Sequence, residues 1–249
     1  MTPINEMNSL PQNGSGIEQN IVHSFAQFSI GEESGQSRKS SVFRIGLQRV
    51  CKRLFDILFA SILFIFSFPA FVLILFVISI TSPGPVILWE DRIGQNGKRF
   101  KLWKFRTQYS EKSQNAYRKS MQAMILDEEV NQEEVITHYL RLLEHSLTPV
   151  GKLIQSASLD DLPQLFNILM GQMSFVGPRP HQPFEVEEYK SWYKRRLSVK
   201  PGITSWSRLK IKVTPKNYEE AILYDLWYVD HWSFGLDLRI LFKTIPLGF

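Results

Sequence analysis

The chain has 249 residues, of which 44% are hydrophobic, and it carries a formal net charge of +5. This length is sufficient for one domain with a sizeable core plus additional segments. The basic balance indicates an anionic partner, such as nucleic acid, lipid head groups or phosphorylated substrates. The single cysteine, Cys51, excludes an intrachain disulfide, and the five histidines show no spacing typical of a metal site.

Residues 1–37 are rich in small and polar side chains and lack sustained periodicity, so we expect a disordered tail. Six basic residues and no acidic residue lie between positions 38 and 53, and an uncharged run then extends from Ile57 to Ile80. About 20 apolar residues suffice to enter and cross a bilayer. The run is therefore predicted to be a membrane segment. A buried helix of a soluble core is the alternative, although such helices normally have a polar face.

Two features of this run argue against a simple transmembrane span. Pro69 lies in its middle, two residues after Ser67, and predicts a break or kink that leaves halves of about 18 Å each. Six basic residues also follow the run between positions 92 and 106, whereas a spanning helix normally has its basic bias on one side. We therefore predict that residues 38–82 form a basic lead-in and a re-entrant hairpin broken near Pro69.

The rest of the chain predicts a mixed but mainly helical domain. Residues 86–108 predict two short strands around a Gly-Gln-Asn-Gly turn, and residues 111–146 predict a solvated helical pair or an insertion. In the segment 186–197 four side chains share a helical face: Tyr189, Trp192, Tyr193 and Arg196. Such a face suits a membrane interface, and ordinary core packing explains it equally well. The predicted fold class is α+β, mainly helical, with a re-entrant hairpin, interfacial helices and a small cytoplasmic domain.

Two adjacent carboxylates, Asp160 and Asp161, precede apolar residues that repeat at helical spacing. Pro163 is tolerated only in a first turn, which predicts that a helix begins close to Asp160. The pattern alone favours helix capping and interaction with the helix dipole. The alternative is phosphoryl transfer, with one carboxylate as the covalent acceptor and its neighbour as a ligand of Mg²⁺.

Phosphoryl transfer to a carboxylate also requires cations that neutralise the phosphate oxygens. The candidates are Arg179, which lies between Pro178 and Pro180, and the pair Lys104 and Arg106. Arginine suits this role because its planar guanidinium binds phosphate through two hydrogen bonds.

Several ordered motifs together resemble the bacterial sugar transferase family, the small monotopic polyprenyl-phosphate phosphoglycosyl transferases. They are KRLFD (52–56) before the proline-containing apolar run, SPGPV (82–86), KFRT (104–107), SLDDLPQLFNILMGQMSFVGPRP (158–180), RRLSVKPGIT (195–204) and YVDHWSFGLDLRIL (228–241). The resemblance covers roughly residues 45–245, and it implies that residues 83–249 form a catalytic domain.

The resemblance implies a ping-pong transfer at the inner face of the bacterial cytoplasmic membrane, at the start of exopolysaccharide, capsule or related glycan synthesis. A carboxylate attacks a UDP-sugar, releases UMP and holds a phosphosugar, which polyprenyl phosphate, such as undecaprenyl phosphate, then accepts. On the matching motifs, Asp160 is the nucleophile, Asp161 binds the cofactor Mg²⁺, and Lys104 and Arg179 contact phosphate. The implied partners are the donor, the lipid acceptor and the bilayer. Nucleic acid is not expected, because the basic residues flank an apolar run.

This chain departs from the family pattern in four places, one of which is the usually arginine-rich lead-in, here KLIQSA (152–157), where Lys152 stays basic while Gln155 and Ser156 do not. The usual Asp-Glu pair is Asp160-Asp161, and the Ser-Pro break is the looser Ser67-Phe68-Pro69. The usual glycine-arginine pair after PGIT is replaced by SWSRLKIK, in which Arg208 or Lys212 would substitute. An alternative is therefore a diverged member that is weakly active, or a non-catalytic membrane-bound partner protein. The pattern carries no signal for the sugar or the oligomeric state.

Overall fold

The computed structural model describes residues 35–108, 146–211 and 217–244, with side chains from residue 46 onward. The chain divides into a unit of residues 1–44 and a unit of residues 45–249, and the description below concerns the second unit. The predicted tail falls almost entirely outside the described residues, as do all but one residue of the predicted helical pair at 111–146.

The apolar run belongs to a 47-residue helix, α1 (Gly35–Thr81). Pro69 lies inside α1 and the helix continues through it, so the predicted interruption at this proline is not observed. From Gly46 to Thr81 the helix is long and apolar enough to cross a membrane, and only 17% of its most apolar window is buried. Phe66, for example, is 81% exposed. This exposure argues against the alternative of a buried core helix.

One face of α1 packs against the remainder of the domain along most of the helix. The ring of Phe59 lies 4.9 Å from that of Phe175, and the ring of Phe64 lies 5.0 Å from that of Phe166. Further along α1, Phe71, Ile74 and Ile78 join a core cluster with Phe105 and Ile154. The helix thus has a packed apolar face and an exposed apolar face.

The predicted β-hairpin is confirmed. Strands β1 (Ile87–Ile93) and β2 (Arg99–Phe105) pair in antiparallel register, with Leu88 opposite Lys104. At the turn Asn96 has a φ of 57° and Gly97 a φ of 74°. Asparagine and glycine adopt this left-handed backbone conformation more readily than other residues, so the sequence Gln-Asn-Gly fits the turn.

A second sheet pairs β3 (Ser174–Val176) in parallel with β4 (Gly202–Thr204). Two glycines allow the segment after β3 to touch the start of β4. A Cβ atom on Gly177 would lie 2.2 Å from the carbonyl oxygen of Lys200, and one on Gly202 would lie 2.2 Å from the nitrogen of Gly177. Any side chain would force these backbones apart. This close contact places the following Pro178-Arg179-Pro180 turn beside β4.

The other helices surround these strands, and the architecture is α+β and mainly helical, as predicted. They are α2 (Pro149–Ser156), α3 (Gln164–Leu169), α4 (Pro183–Glu187), α5 (Trp206–Lys210), α6 (Tyr218–Asp230), α7 (Phe234–Thr244) and a 3₁₀ segment (Ser191–Ser198). The main core lies where α1, α3, β3 and α7 meet, around Ala60, Ile168, Phe175 and Ile240.

The segment 186–197 packs into the protein interior. Tyr189, Tyr193 and Arg196 are buried, with at most 7% of each residue exposed. Arg196 donates hydrogen bonds to Asp225 (2.6 Å) and to the hydroxyl of Tyr189 (2.5 Å). Of the two interpretations of this aromatic and basic face, the structure favours core packing for Tyr189, Tyr193 and Arg196.

A histidine completes this interior group. The Tyr189 hydroxyl lies 2.6 Å from Nδ1 of His181, and the Arg196 guanidinium lies 2.7 Å from the same atom. Burial and the positive charge of Arg196 hold the pKa of His181 well below its usual value, so its ring is neutral at physiological pH. We call Tyr189, His181, Arg196 and Asp225 the buried network.

Candidate active site

The adjacent aspartates lie in a series of tight turns that leads into helix α3. The amide of Leu162 donates to the carbonyl of Leu159 (3.2 Å), and the amide of Gln164 donates to that of Asp161 (2.9 Å). Helix α3 begins at Gln164, four residues later than predicted, and no side chain caps its first turn. The capping interpretation is therefore wrong, because neither carboxylate occupies a capping position.

Strand β2 fixes this acidic turn. The amide of Phe105, at the end of β2, donates to the carbonyl of Asp160 at 3.0 Å. One residue earlier, the Lys104 ammonium lies 3.4 Å from Oδ1 of Asp161. The same oxygen accepts a hydrogen bond from the side-chain amide of Gln164. Lys104, which is predicted to contact phosphate, therefore lies beside the acidic turn.

Asn167 fixes the register between α3 and β2. Its side chain is fully buried, accepts from the amide of Trp103 (3.2 Å) and donates to the carbonyl of Lys101 (2.7 Å). A second donation from its amide reaches the side chain of Gln172 (2.7 Å). Buried polar groups that are satisfied in this way hold two elements in a single arrangement. Asn167 thereby sets the position of Lys104 relative to the acidic turn.

The carboxyl group of Asp160 has a raised proton affinity. Burial, followed by repulsion from Asp161, raises its pKa to about 6, while Lys104 and Arg208 act in the opposite direction. The group is thus mostly ionised at neutral pH. Because two carboxylates share this turn, a bound cation would lower the repulsion between them.

A polar cavity of about 80 Å³ adjoins the acidic turn. It is lined by Lys104, Asp161 and Arg179 from the predicted site, and also by Arg92, Gln164 and Arg208. Burial acts to raise the pKa of the nearby Glu90, and Arg92, Lys104 and Arg179 together lower it below its usual value. The cavity therefore concentrates positive charge next to Asp161, which suits a phosphate-bearing ligand.

The turn that carries Arg179 is held through three consecutive carbonyl groups. The amide of Gly202 donates to Pro178 (3.0 Å), Arg196 donates to Arg179 (3.1 Å), and Arg92 donates to Pro180 (2.9 Å). Arg92 and Arg196 are both buried, whereas the residue Arg179 is exposed. The sequence alone does not distinguish these three arginines. The structure shows that Arg92 and Arg196 hold the turn, whereas Arg179 is exposed.

An apolar cavity of about 240 Å³ lies on another side of the acidic turn. Its lining includes Leu63 and Ser67 of α1, Leu162, Asp161 and Phe175. Ser67, predicted to mark the hairpin break, donates to the carbonyl of Phe64 at 3.4 Å. Asp161 thus borders a cationic cavity and an apolar cavity.

Arg106, a predicted phosphate ligand, lies away from the acidic turn's cavities. Arg106 is buried and donates to the carbonyl of Pro83 and to Ser82 (3.4 Å), so in this structure it holds the turn that follows α1. It does not line either cavity that Asp161 borders. Its role in phosphate binding stays a prediction. Lys212 lies outside the described residues, and Arg208 is the basic residue of this segment that reaches the cationic cavity.

The described residues contain no group of three or more histidine, cysteine, aspartate or glutamate side chains that could hold a metal. Asp160 and Asp161 nevertheless fit the needs of Mg²⁺, which commonly takes one or two protein carboxylates together with phosphate oxygens. The adjacency of the two carboxylates supports this fit: burial, followed by repulsion from Asp161, raises the pKa of Asp160, and a bound cation would lower that repulsion.

Residues 47–249 match the family model described as bacterial sugar transferase. The chain is 40% identical over 211 residues to a UDP-glucose:undecaprenyl-phosphate glucose-1-phosphate transferase of Klebsiella pneumoniae, and 35% identical to the Escherichia coli K12 protein of that name. Each alignment covers 82% of this chain and 41% of the relative, so this chain spans less than half the length of those proteins. It is 35% identical to the exopolysaccharide production protein ExoY of Rhizobium meliloti, over 88% of this chain and 91% of that protein. The chain therefore belongs to the bacterial sugar transferase family.

Proposed function

We propose that this protein transfers a sugar 1-phosphate from a UDP-sugar to polyprenyl phosphate and so starts the assembly of a bacterial glycan. The observation that carries the proposal is the position of Asp161, which lies next to Asp160 and borders both a cationic and an apolar cavity. A reaction that joins a nucleotide sugar to a lipid phosphate needs both environments. The names of the Klebsiella and Escherichia relatives describe this chemistry for glucose 1-phosphate.

In the first step an oxygen of the Asp160 carboxylate attacks the phosphorus that bears the sugar. The phosphoanhydride bond to the uridine monophosphate half breaks, and UMP leaves with the bonding electron pair. The phosphosugar is then covalently attached to Asp160. Lys104, Arg179 and Arg208 lie where they would neutralise the phosphate oxygens as the charge shifts.

In the second step a phosphate oxygen of the polyprenyl phosphate attacks the same phosphorus. The bond to Asp160 breaks, the carboxylate is regenerated, and the product is a polyprenyl diphosphate sugar. The apolar cavity between α1 and the acidic turn would hold the first isoprene units of the acceptor, because its walls at Leu63, Leu162 and Phe175 are apolar.

Asp161 would hold Mg²⁺, which neutralises the diphosphate of the donor when it is bound. Aspartate at this position has one methylene group fewer than the usual glutamate, so its carboxylate reaches a shorter distance. The hydrogen bond from Gln164 to Oδ1 of Asp161 orients this carboxylate.

We also infer that α1 enters and leaves the bilayer on one face. The ring of Phe71, past the middle of the apolar run, lies 4.9 Å from that of Phe105, whose amide binds the carbonyl of Asp160. A straight transmembrane helix would carry this acidic turn into the hydrocarbon, where charged groups are costly. Pro69 is the position at which such a bend would form, because a proline inside a helix removes a hydrogen bond and favours a kink.

The enzymatic proposal is tested by UMP release from a panel of UDP-sugars with undecaprenyl phosphate as acceptor. Wild-type protein should release UMP with one or a few sugars and lose activity when EDTA removes Mg²⁺. Asp160→Asn should lower turnover by at least about 10³-fold, because it removes the nucleophile. Asp91→Asn, which changes an exposed acid of the hairpin, is the matched control. A quenched reaction should contain a phosphosugar adduct on Asp160.

Unchanged turnover in Asp160→Asn would overturn the assignment of the nucleophile. Absence of both UMP release and the adduct with every UDP-sugar would favour the alternative of a non-catalytic family member. For the topology, Cys51→Ser provides a cysteine-free background for Ser40→Cys and Ser110→Cys. Labelling of both positions from the cytoplasmic side is expected, and labelling from opposite sides would contradict the re-entrant arrangement.

A further inference from the structure

A second charged cavity lies at the N-terminal flank of the apolar run. Its volume is about 310 Å³, and its walls include Arg49, Lys52, Arg53 and Asp56 of α1, together with Lys200 and Trp232. It shares no lining residue with either cavity that Asp161 borders. Strand β3 separates them: Phe175 lines the apolar cavity, whereas its neighbour Val176 lines this one. Successive side chains of a strand point to opposite faces, so the two cavities open on different sides of β3.

The four cations around this cavity have unequal numbers of partners. Lys52 donates to Asp237 (2.5 Å) and to the carbonyl of Val176 (3.1 Å). Arg53 donates to the carbonyls that end helix α3, at 2.6 and 2.8 Å. Among the described residues Lys200 and Arg49 have neither a hydrogen bond nor an ion pair. Burial, followed by repulsion from Arg53, lowers the pKa of Lys200. A bound anion would offset both effects.

The surroundings of the cavity indicate the kind of anion. One turn further along α1, Leu54 and Leu58 are 55% and 63% exposed, and they begin the exposed apolar face of the helix. Trp232, an aromatic residue of the type enriched at membrane interfaces, lies in the cavity wall. A ligand with a phosphate in the cavity and hydrocarbon chains beyond it would match both features.

We propose that this cavity binds the phosphate of an anionic phospholipid whose acyl chains lie along the exposed face of α1 at Leu54 and Leu58. This lipid is neither the donor nor the acceptor of the transfer reaction. It anchors the basic end of α1 at the head-group layer and so sets the depth of the apolar run. The proposal rests on the membrane association inferred above.

The test uses the full chain reconstituted in phosphatidylcholine nanodiscs with and without phosphatidylglycerol, followed by native mass spectrometry of the lipids retained. Wild-type protein should retain phosphatidylglycerol in preference to phosphatidylcholine. Lys200→Gln should reduce that preference about fivefold, as expected for one lysine at a membrane surface. Arg49→Gln is the second variant. Lys98→Gln is the matched control, because Lys98 is exposed at the hairpin turn and lines none of the three cavities.

Equal retention of phosphatidylglycerol by Lys200→Gln, Arg49→Gln and Lys98→Gln would overturn the proposal. Displacement of the lipid by inorganic phosphate at equal concentration would also overturn it, because the ligand would then be a free ion. Displacement by polyprenyl phosphate would assign the cavity to the acceptor instead. A protein that enters no nanodisc of either composition would contradict membrane association itself, whereas loss of lipid preference with retained insertion contradicts the lipid site alone.

Discussion

The acidic turn at Asp160–Asp161 and the buried network around Arg196 are both clusters of charged groups. They differ in their burial and in the sign of the charges that lie next to each other. In the buried network Arg196 and Asp225 form an ion pair with side chains at most 3% exposed, and aromatic hydroxyls surround it. In the acidic turn the side chains of Lys104 and Asp161 remain 28% and 24% exposed, and burial followed by the like charge of Asp161 raises the pKa of Asp160.

This difference distinguishes charged residues that stabilise the fold from charged residues that can interact with a ligand. Charges that are fully enclosed with partners of opposite sign hold backbone in place, as Arg196 does for the carbonyl of Arg179. Charges of one sign that lie together beside a cavity repel one another, and a bound ligand of opposite charge lowers that repulsion. Substitutions in the buried network should therefore lower the stability of the fold, whereas substitutions in the acidic turn should lower catalytic turnover.

The largest effect is expected from Arg196→Leu. Removal of the guanidinium leaves Asp225 and His181 buried without their partner, and breaking a buried pair typically costs about 3–5 kcal/mol. Denaturant unfolding in detergent should show this loss in the free energy of unfolding. Arg195→Leu is the control, because its ion pair with Asp230 lies at the surface and is worth less than about 1 kcal/mol. Equal stability of the two variants would contradict the structural role of the network.

Asn167→Leu tests the link between α3 and β2, which positions Lys104 relative to the acidic turn. It leaves the amide of Trp103 and the carbonyl of Lys101 without their partner, at a cost of about 2–3 kcal/mol. Because the register of α3 against β2 would loosen, turnover should also fall. Unfolding curves and UMP release measure the two effects. Full stability of Asn167→Leu would rule out this function of the side chain.

Arg179→Ala should separate activity from stability. Its carbonyl group, which Arg196 holds, remains in the variant, so the free energy of unfolding should change by less than about 0.5 kcal/mol. Turnover should fall about 10–100-fold if the guanidinium neutralises phosphate oxygens. Arg99→Ala, at an exposed position of the hairpin, is the control. A large loss of stability in Arg179→Ala would place this arginine with the supporting residues.

The smallest effect is a pH dependence of stability in EDTA. Because the folded state raises the pKa of Asp160 from 3.8 to about 6, its favourable contribution is complete below about pH 4 and is lost as the pH rises through 6. Asp160→Asn has no such titration. Its stability relative to wild type should be higher at pH 8 than at pH 4.5, by about 1–2 kcal/mol after allowance for solvent screening. A constant difference across this range would exclude the raised pKa.

The sequence was informative where a local rule determines the structure. The hairpin follows from alternating strands around Gln-Asn-Gly, and the approach of Lys104 and Arg179 to Asp161 follows from the family motifs. Helix continuity through Pro69 could not be predicted, because packing on both sides of the proline offsets one lost hydrogen bond.

Long-range contacts explain the other differences. The start of α3 depends on the bond between the amide of Phe105 and the carbonyl of Asp160, 55 positions apart, and no periodicity encodes it. The burial of Arg92 and Arg196 has no local signal in the sequence, since burial of a charge requires partners from distant segments.

Asn167 has a consequence for how this site can evolve. Its hydrogen bonds to β2 go to main-chain atoms of Lys101 and Trp103, so the exposed side chain of Lys101 can be exchanged without altering the alignment of α3 with β2. Lys104, on the same strand, would keep its distance to Asp161 through such changes. A lineage could therefore vary this exposed position of the hairpin while Lys104 and Asp161 stay in place.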